Sequence, residues 1–239
     1  MVPGSRADGH ALKVFSVNGV KEIMGRLGEA FHAEAGDDVH FTFGTIGALQ
    51  GKMSAGDLPD MLIAMAAAIS RAEQQGLIGQ DASVEVGRTG LGLAVRERAS
   101  APDVSTPPAL RDTLLNAKSL AYTDPRTGAA SAIAFVEMLD DMGIADQVKD
   151  KTVLVSGGSV GEVVARGDAE LGIQQVTELL PVTGITLLGP LPSELQRVTV
   201  YRAAVLLGSE KPKLAAAFLE FVTSPNTAAA FAAAGFGRY

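Results

Sequence analysis

Apolar and polar positions along this chain switch repeatedly between a strand-like and a helix-like period. Leu12, Val14 and Val17 flank Lys13 and Phe15 in a short, mostly apolar run that predicts a buried strand over 12–17. Ile23, Leu27, Ala30 and Phe31 then recur at helical spacing, with Asn18 as the expected N-cap and Gly36 as the stop. Val39, Phe41 and Phe43 alternate with His40 and Thr42 as a second strand, and Gly44-Thr45-Ile46-Gly47 turns into a helix carrying Leu49 and Met53 that closes at Gly56. Met61-Leu62-Ile63 predicts a third strand, followed by a helix over 66–75 that Gly76 ends.

The second half continues in the same way. A glycine-rich extended run over 87–95 precedes a helix capped by Thr106, with Pro107 or Pro108 in its first turn and Leu110, Leu114 and Leu115 inward. Leu120-Ala121-Tyr122 predicts a strand, the loop Thr123-Asp124-Pro125-Arg126-Thr127-Gly128 follows, and Ile133, Val136 and Leu139 mark the apolar face of the next helix, which ends at Gly143. Another strand over 152–155 meets the corner Gly157-Gly158-Ser159-Val160, whose helix closes at Gly167. Strands are expected at Leu171-Gly172-Ile173, with Gln174 and Gln175 as the polar exit, at 185–188, and in a second long extended run over 198–206. Two helices finish the chain, one from Pro212 with Leu214, Phe218, Phe221 and Val222, the other through Phe231 to Gly235. Alternation of this kind predicts an α/β fold with a mainly parallel sheet and ligands at the carboxyl ends of its strands.

Composition narrows the function. With 239 residues, 47% hydrophobic and 20% charged, the chain has the make-up of a globular protein able to bury a large core. A net charge of −7 with scattered basic residues argues against nucleic acid. Zero cysteines exclude thiolate chemistry and disulfides. His10, His32 and His40 form no ligand spacing, so no metal and no cofactor are expected. No apolar run reaches the ~18–20 residues of a membrane span. The stretch 1–6 reads as a tail, and a signal peptide removed before this numbering is expected.

Four strand-to-helix corners remain as candidate chemistry. They carry Ser16 with Asn18, Gly19 and Val20; Thr45 with Ile46 and Gly47; Arg126 with Thr127 and Ser131; and Gly158 with Ser159. A helix start presents unpaired N–H groups and the positive end of its dipole, so converging corners would hold a small anion without net positive charge. Arg126 would favour a carboxylate, because a charge-assisted contact is worth roughly 1.5–3 kcal/mol; its alternative use is a surface pair with Asp124. Gln174, Gln175 and Tyr201 stand at strand exits or in the second extended run, where polar groups would meet a ligand.

In the order of these elements the chain resembles the periplasmic solute-binding proteins of the molybdate-binding type. The residues that carry the likeness are Phe43-Gly44-Thr45-Ile46-Gly47-Ala48-Leu49, Leu58-Pro59-Asp60-Met61, Val164-Ala165-Arg166-Gly167-Asp168-Ala169-Glu170-Leu171-Gly172, and Ala217-Phe218-Leu219-Glu220-Phe221-Val222-Thr223-Ser224-Pro225 with Gly235-Phe236. The resemblance implies the two-lobed type II fold, with lobe 1 from 10–87 and 202–239, lobe 2 from 88–201, and two crossing segments between them. It also implies a monomer in the periplasm that closes around a small anion and hands it to an ABC permease. The family's first corners carry Ala-Ala-Ser-Leu and Ser-Ser-Gly, whereas Ser16-Val17-Asn18-Gly19-Val20 and Thr45-Ile46-Gly47 stand here. That change points to an organic di- or tricarboxylate as well as a tetrahedral oxyanion. An aconitate isomerase on a similar scaffold gives the alternative, a carboxylate isomerase, with Asp124, Glu178 and Tyr201 as its candidate acid and base.

Overall fold

The computed structural model describes residues 11–237; the tail at 1–6 and His10 lie outside the described residues. In the first lobe β1 (Leu12–Val17), β2 (Val39–Gly44) and β3 (Met61–Met65) alternate with α1 (Lys21–Ala35), α2 (Ile46–Ser54) and α3 (Ala66–Gln74). β1 pairs in parallel with β2, Leu12 opposite Val39, and with β3, Val14 opposite Met61. All three therefore end on the same edge.

β4 (Val84–Arg96) then runs through both halves of the molecule. It leads into α4 (Pro107–Asn116), β5 (Leu120–Thr123), α5 (Ala130–Asp141), α6 (Ala145–Val148), β6 (Thr152–Val155), α7 (Val160–Arg166), β7 (Leu171–Gln175), α8 (Val176–Leu179) and β8 (Ile185–Pro190). β5 lies between β6 and β7, parallel to both. β9 (Val198–Val205) returns the chain, and α9 (Pro212–Thr223) and α10 (Ala228–Ala233) complete the first lobe.

The sheet order β2-β1-β3-β9-β4-β7-β5-β6 is continuous because β4 changes partner midway. Val84 to Gly90 pair with β9, whereas Leu91 to Val95 pair with β7. At the changeover Gln196 imitates a neighbouring strand: its Oε1 accepts from the Leu91 N–H at 2.8 Å and its Nε2 donates to the Leu91 carbonyl at 3.0 Å. The sheet is parallel within each lobe and antiparallel around β4 and β9, so the mainly parallel expectation holds for the strands that carry the corners.

Each lobe has its own core. Phe15, Ile23, Met24, Leu49, Ile63 and Phe218 belong to the first, joined by Tyr201 of the connecting strand β9, and Leu93, Leu110, Leu114, Leu120, Phe135, Met138 and Ile173 to the second. Two local expectations change. Asn18 caps nothing: Asn18–Val20 form a 3-10 turn without a side-chain cap, which leaves the Asn18 side chain exposed. In α5 the buried stripe is Ala132, Phe135, Met138 and Leu139, while Ile133 is 45% exposed. The Phe135 ring packs edge-on against Tyr122 of β5 at 5.0 Å, and that contact fixes the helix rotation with Ile133 outward.

Candidate functional site

The carboxyl ends of six strands face one another across the lobes. β1 and its exit contribute Val17, Asn18 and Gly19, β2 and its exit contribute Gly44, Thr45 and Ile46, and β3 contributes Met65; opposite them stand Thr123 at the end of β5, Val155 to Gly158 from the end of β6 onward, and Gln174 and Gln175 of β7. Ala129, Ala130 and Ser131 open α5 along the same wall, and Glu178 and Tyr201 complete it. The cavity measures about 60 Å³, several times the roughly 10–15 Å³ that one water requires.

No side chain caps α5, whose N-cap residue is Ala129; the Ala132 N–H bonds the Ala129 carbonyl at 3.1 Å, and Ala130 and Ser131, whose N–H groups are the first of the helix, line the cavity. α2 is capped by Thr45, whose Oγ1 accepts from the Ala48 N–H at 3.4 Å. Tyr201, 1% exposed, donates its hydroxyl to Gln175 Oε1, and Gln175 Nε2 donates to Thr199 Oγ1 at 2.9 Å. Burial, and then the nearby Glu178 charge, raise the Tyr201 phenol well above its usual range, so it remains a donor. Gln174 is held at both ends: Oε1 accepts from the Val160 N–H at 3.2 Å and Nε2 donates to Glu178 Oε1 at 3.0 Å. Burial pushes the Glu178 carboxyl up to about 7, against the Gln174 amide and the Gln175 N–H that favour its charged form.

Glycine at position 19 is a steric requirement. A Cβ there would collide with the Tyr201 hydroxyl and Gln175 Oε1. Close approach also occurs between lobes. Thr177 Oγ1 donates to the Gly19 carbonyl at 2.8 Å, a Cβ on Gly47 would stand 3.2 Å from the Thr127 carbonyl oxygen, and one on Gly128 3.4 Å from Ile46 Cγ2.

Of the residues selected from sequence, Asn18, Gly19, Thr45, Ile46, Ser131, Gly158, Gln174, Gln175 and Tyr201 line this cavity. Others stand elsewhere. Ser16 and Val20 are buried in the first lobe, at 0% and 1% exposure. Gly47 packs on the Thr127 carbonyl, and Thr127 Oγ1 donates to the Asp124 carbonyl at 2.7 Å. Ser159 caps α7, accepting from the Glu162 N–H at 3.4 Å, and lines an outer vestibule instead.

Arg126 also stands outside the lining. Its side chain is 83% exposed and forks onto Asp124, with Nε 3.0 Å from each carboxylate oxygen. Asp124 itself is 2% exposed and additionally accepts from the Arg126 N–H and from Ser156 Oγ. These bonds lower its carboxyl to about 2, the Arg126 side chain being the largest cause. The buried carboxylate thus holds the arginine on the surface pair that the sequence left as its alternative use.

Thr123, Ser156 and Met65 line the cavity and were not selected from sequence. Their signal was positional, since each is the last residue of a strand or the one after it. Among the described residues no group of His, Asp and Glu could hold a metal ion, and no helix is long and apolar enough to cross a membrane.

Comparison with known proteins agrees with this architecture. The azotobacter periplasmic molybdate-binding protein (Azotobacter vinelandii) superposes with a TM-score of 0.79 at 18% identity, covering 95% of this chain and 99% of that one. The sulfate-binding protein of Mycobacterium tuberculosis gives 0.75 at 16% identity over 95% and 86%. In sequence, an aconitate isomerase from a Pseudomonas species is 32% identical over 189 residues, which is 79% of this chain and 71% of that protein. Residues 12–237 match the family model for the bacterial extracellular solute-binding protein. By that match, and by the fold that carries the cleft, the chain belongs to the bacterial extracellular solute-binding protein family.

Proposed function

We propose that this solute-binding protein closes its two lobes, 10–87 with 202–239 and 88–201, around a small organic di- or tricarboxylate and delivers it to an ABC permease from an extracytoplasmic position. The observation that carries the reading is the mixed lining of the cleft. Open helical N–H groups, Thr45 and Ser131 supply donors without a single cationic side chain, which suits an anion held by dipoles. Val17, Ile46, Met65 and Val155 lie between them, and these apolar walls suit a ligand with a carbon skeleton better than a tetrahedral oxyanion that is polar on every side. Titration calorimetry with trans-aconitate, citrate, molybdate and sulfate tests it. Binding of a carboxylate with weaker or no binding of the two oxyanions is expected; the reverse order overturns the carboxylate assignment.

A second reading is a carboxylate isomerase on the same scaffold. Glu178 and the Pseudomonas relative favour it. Interconverting cis and trans alkenyl carboxylates needs a group that takes a proton at one carbon and returns it at another, and a carboxyl poised near neutrality is suited to both halves. Incubation with trans-aconitate followed by proton NMR decides it: growth of cis-aconitate signals establishes the enzyme, and an unchanged spectrum at stoichiometric protein leaves the binder.

A further inference from the structure

We propose that the cleft takes up its anion together with one proton, carried by the Glu178 carboxyl. The inference deepens the anion-binding reading and rests on it. Glu178 stands between two spaces, lining both the cavity and an outer vestibule that it shares with Asn18, Gly158 and Gln174. Among the cavity's lining residues only Glu178 and Tyr201 carry an ionisable group. A bound anion therefore meets a carboxylate, or a carboxylic acid, with no cation beside either.

The neighbours decide between those two forms. Around the vestibule, α1 presents Lys21 and Glu22, and α7 presents Glu162; β9 presents Tyr201 from the cavity side. Lys21 is the one cation of this set against two other carboxylates. Among the described residues Glu178 is in no ion pair. Its fixed partners are Gln174 Nε2, which is itself locked by the Val160 N–H on its other end, and the Gln175 N–H; both favour the carboxylate, and burial outweighs them. A negative ligand then adds like-charge repulsion beside a carboxylate that has no ion-pair partner, and the acid form relieves it. As an acid, Glu178 gains one O–H donor that the carboxylate lacks, and the ligand is the acceptor placed in the cavity beside it. The proton comes from solvent through the vestibule, so the net reaction is protein plus anion plus one proton giving the complex.

The alternative reading of Glu178 is an N-terminal helix residue that reaches back to the Gln175 N–H and takes no part in binding. The experiment separates the two. Binding of trans-aconitate is measured by calorimetry at about pH 6 and about pH 8, and at the higher pH in HEPES and in Tris, whose protonation heats differ. Linkage predicts affinity about tenfold weaker at the higher pH and an uptake near one proton there, falling toward zero at the lower pH. Glu178→Gln should bind with nearly equal affinity at both pH values, since its amide keeps a donor without titrating. A pH dependence unchanged in Glu178→Gln places the proton on the ligand and overturns the proposal. Should that variant fail to fold, proton uptake by the unaltered protein carries the test, and binding heats equal in the two buffers after correction overturn it. Absence of binding to trans-aconitate, citrate, molybdate and sulfate at about pH 6 removes the anion reading itself, and this proposal with it; binding without proton uptake removes the proposal alone.

Discussion

A single absent methyl group shapes the floor of the cleft. Gly19 sits where any Cβ would enter the space of the Tyr201 hydroxyl and the Gln175 amide. Both of those groups are committed, Tyr201 to Gln175 and Gln175 to Thr199. Neither moves aside without leaving a buried polar group unpaired, at a cost of roughly 1–3 kcal/mol. Gly19→Ala should therefore lower the melting temperature and weaken ligand binding by tenfold or more, read by thermal denaturation and calorimetry. A variant with unaltered affinity would mean that the Tyr201-Gln175 pair is not needed in its present place.

At the scale of elements, the single turn Pro125–Thr127 and its Asp124 make a self-contained unit, and its behaviour with acid follows. The folded-state pKa of Asp124 is lowered from 3.8 to about 2, so the stability it supplies is present above the unfolded value and is lost as pH falls through the folded one. Asp124→Asn should flatten the loss of stability between about pH 4 and pH 2 seen in chemical denaturation of the unaltered protein. Arg126→Ala should change affinity for a carboxylate less than twofold, because the arginine binds Asp124 outside the cavity, and should shrink that acid loss, because without the guanidinium the Asp124 carboxyl returns toward its unfolded value. A tenfold fall in affinity would bring Arg126 back to the ligand. The same unit shows what the sequence discloses and what it hides. Thr45, Thr106 and Ser159 are readable as caps, and each accepts from the N–H three residues on, because a cap is a local bond with a fixed spacing. The outward turn of Ile133 is not readable, since its cause is Phe135 meeting Tyr122 across a strand-helix contact. Nor does spacing reveal that Asp124, 2% exposed, would draw Arg126 outward; burial of a carboxylate is a tertiary fact. The strand-loop-helix order gave the corners their place in the fold, while which side chains point inward depends on the opposite lobe.

For the whole molecule, the energetics of closing concentrate on few contacts. Thr177 Oγ1 bonds the Gly19 carbonyl at 2.8 Å, joining α8, which follows β7, to the turn that follows β1, and so the two lobes as proposed above. At the other approaches, Gly47 to Thr127 and Gly128 to Ile46, an added Cβ would press on the facing group, and among the described residues neither approach has a hydrogen bond assigned to it. In an open form water would satisfy both Thr177 and the Gly19 carbonyl, so the bond stabilises neither lobe alone. Thr177→Val keeps the shape of the side chain and removes the donor, leaving the Gly19 carbonyl unpaired only after closure. The cost of roughly 1–3 kcal/mol would then fall on the closed state, and affinity for the ligand should drop by about 5- to 150-fold. Melting of the ligand-free protein should shift little if its lobes are open at rest. Small-angle scattering supplies the second readout: the variant should need a higher ligand concentration than the unaltered protein to reach the compact form. Unchanged affinity would show that closure does not depend on this bond, and a large loss of ligand-free stability would show that it holds the fold rather than the closed state.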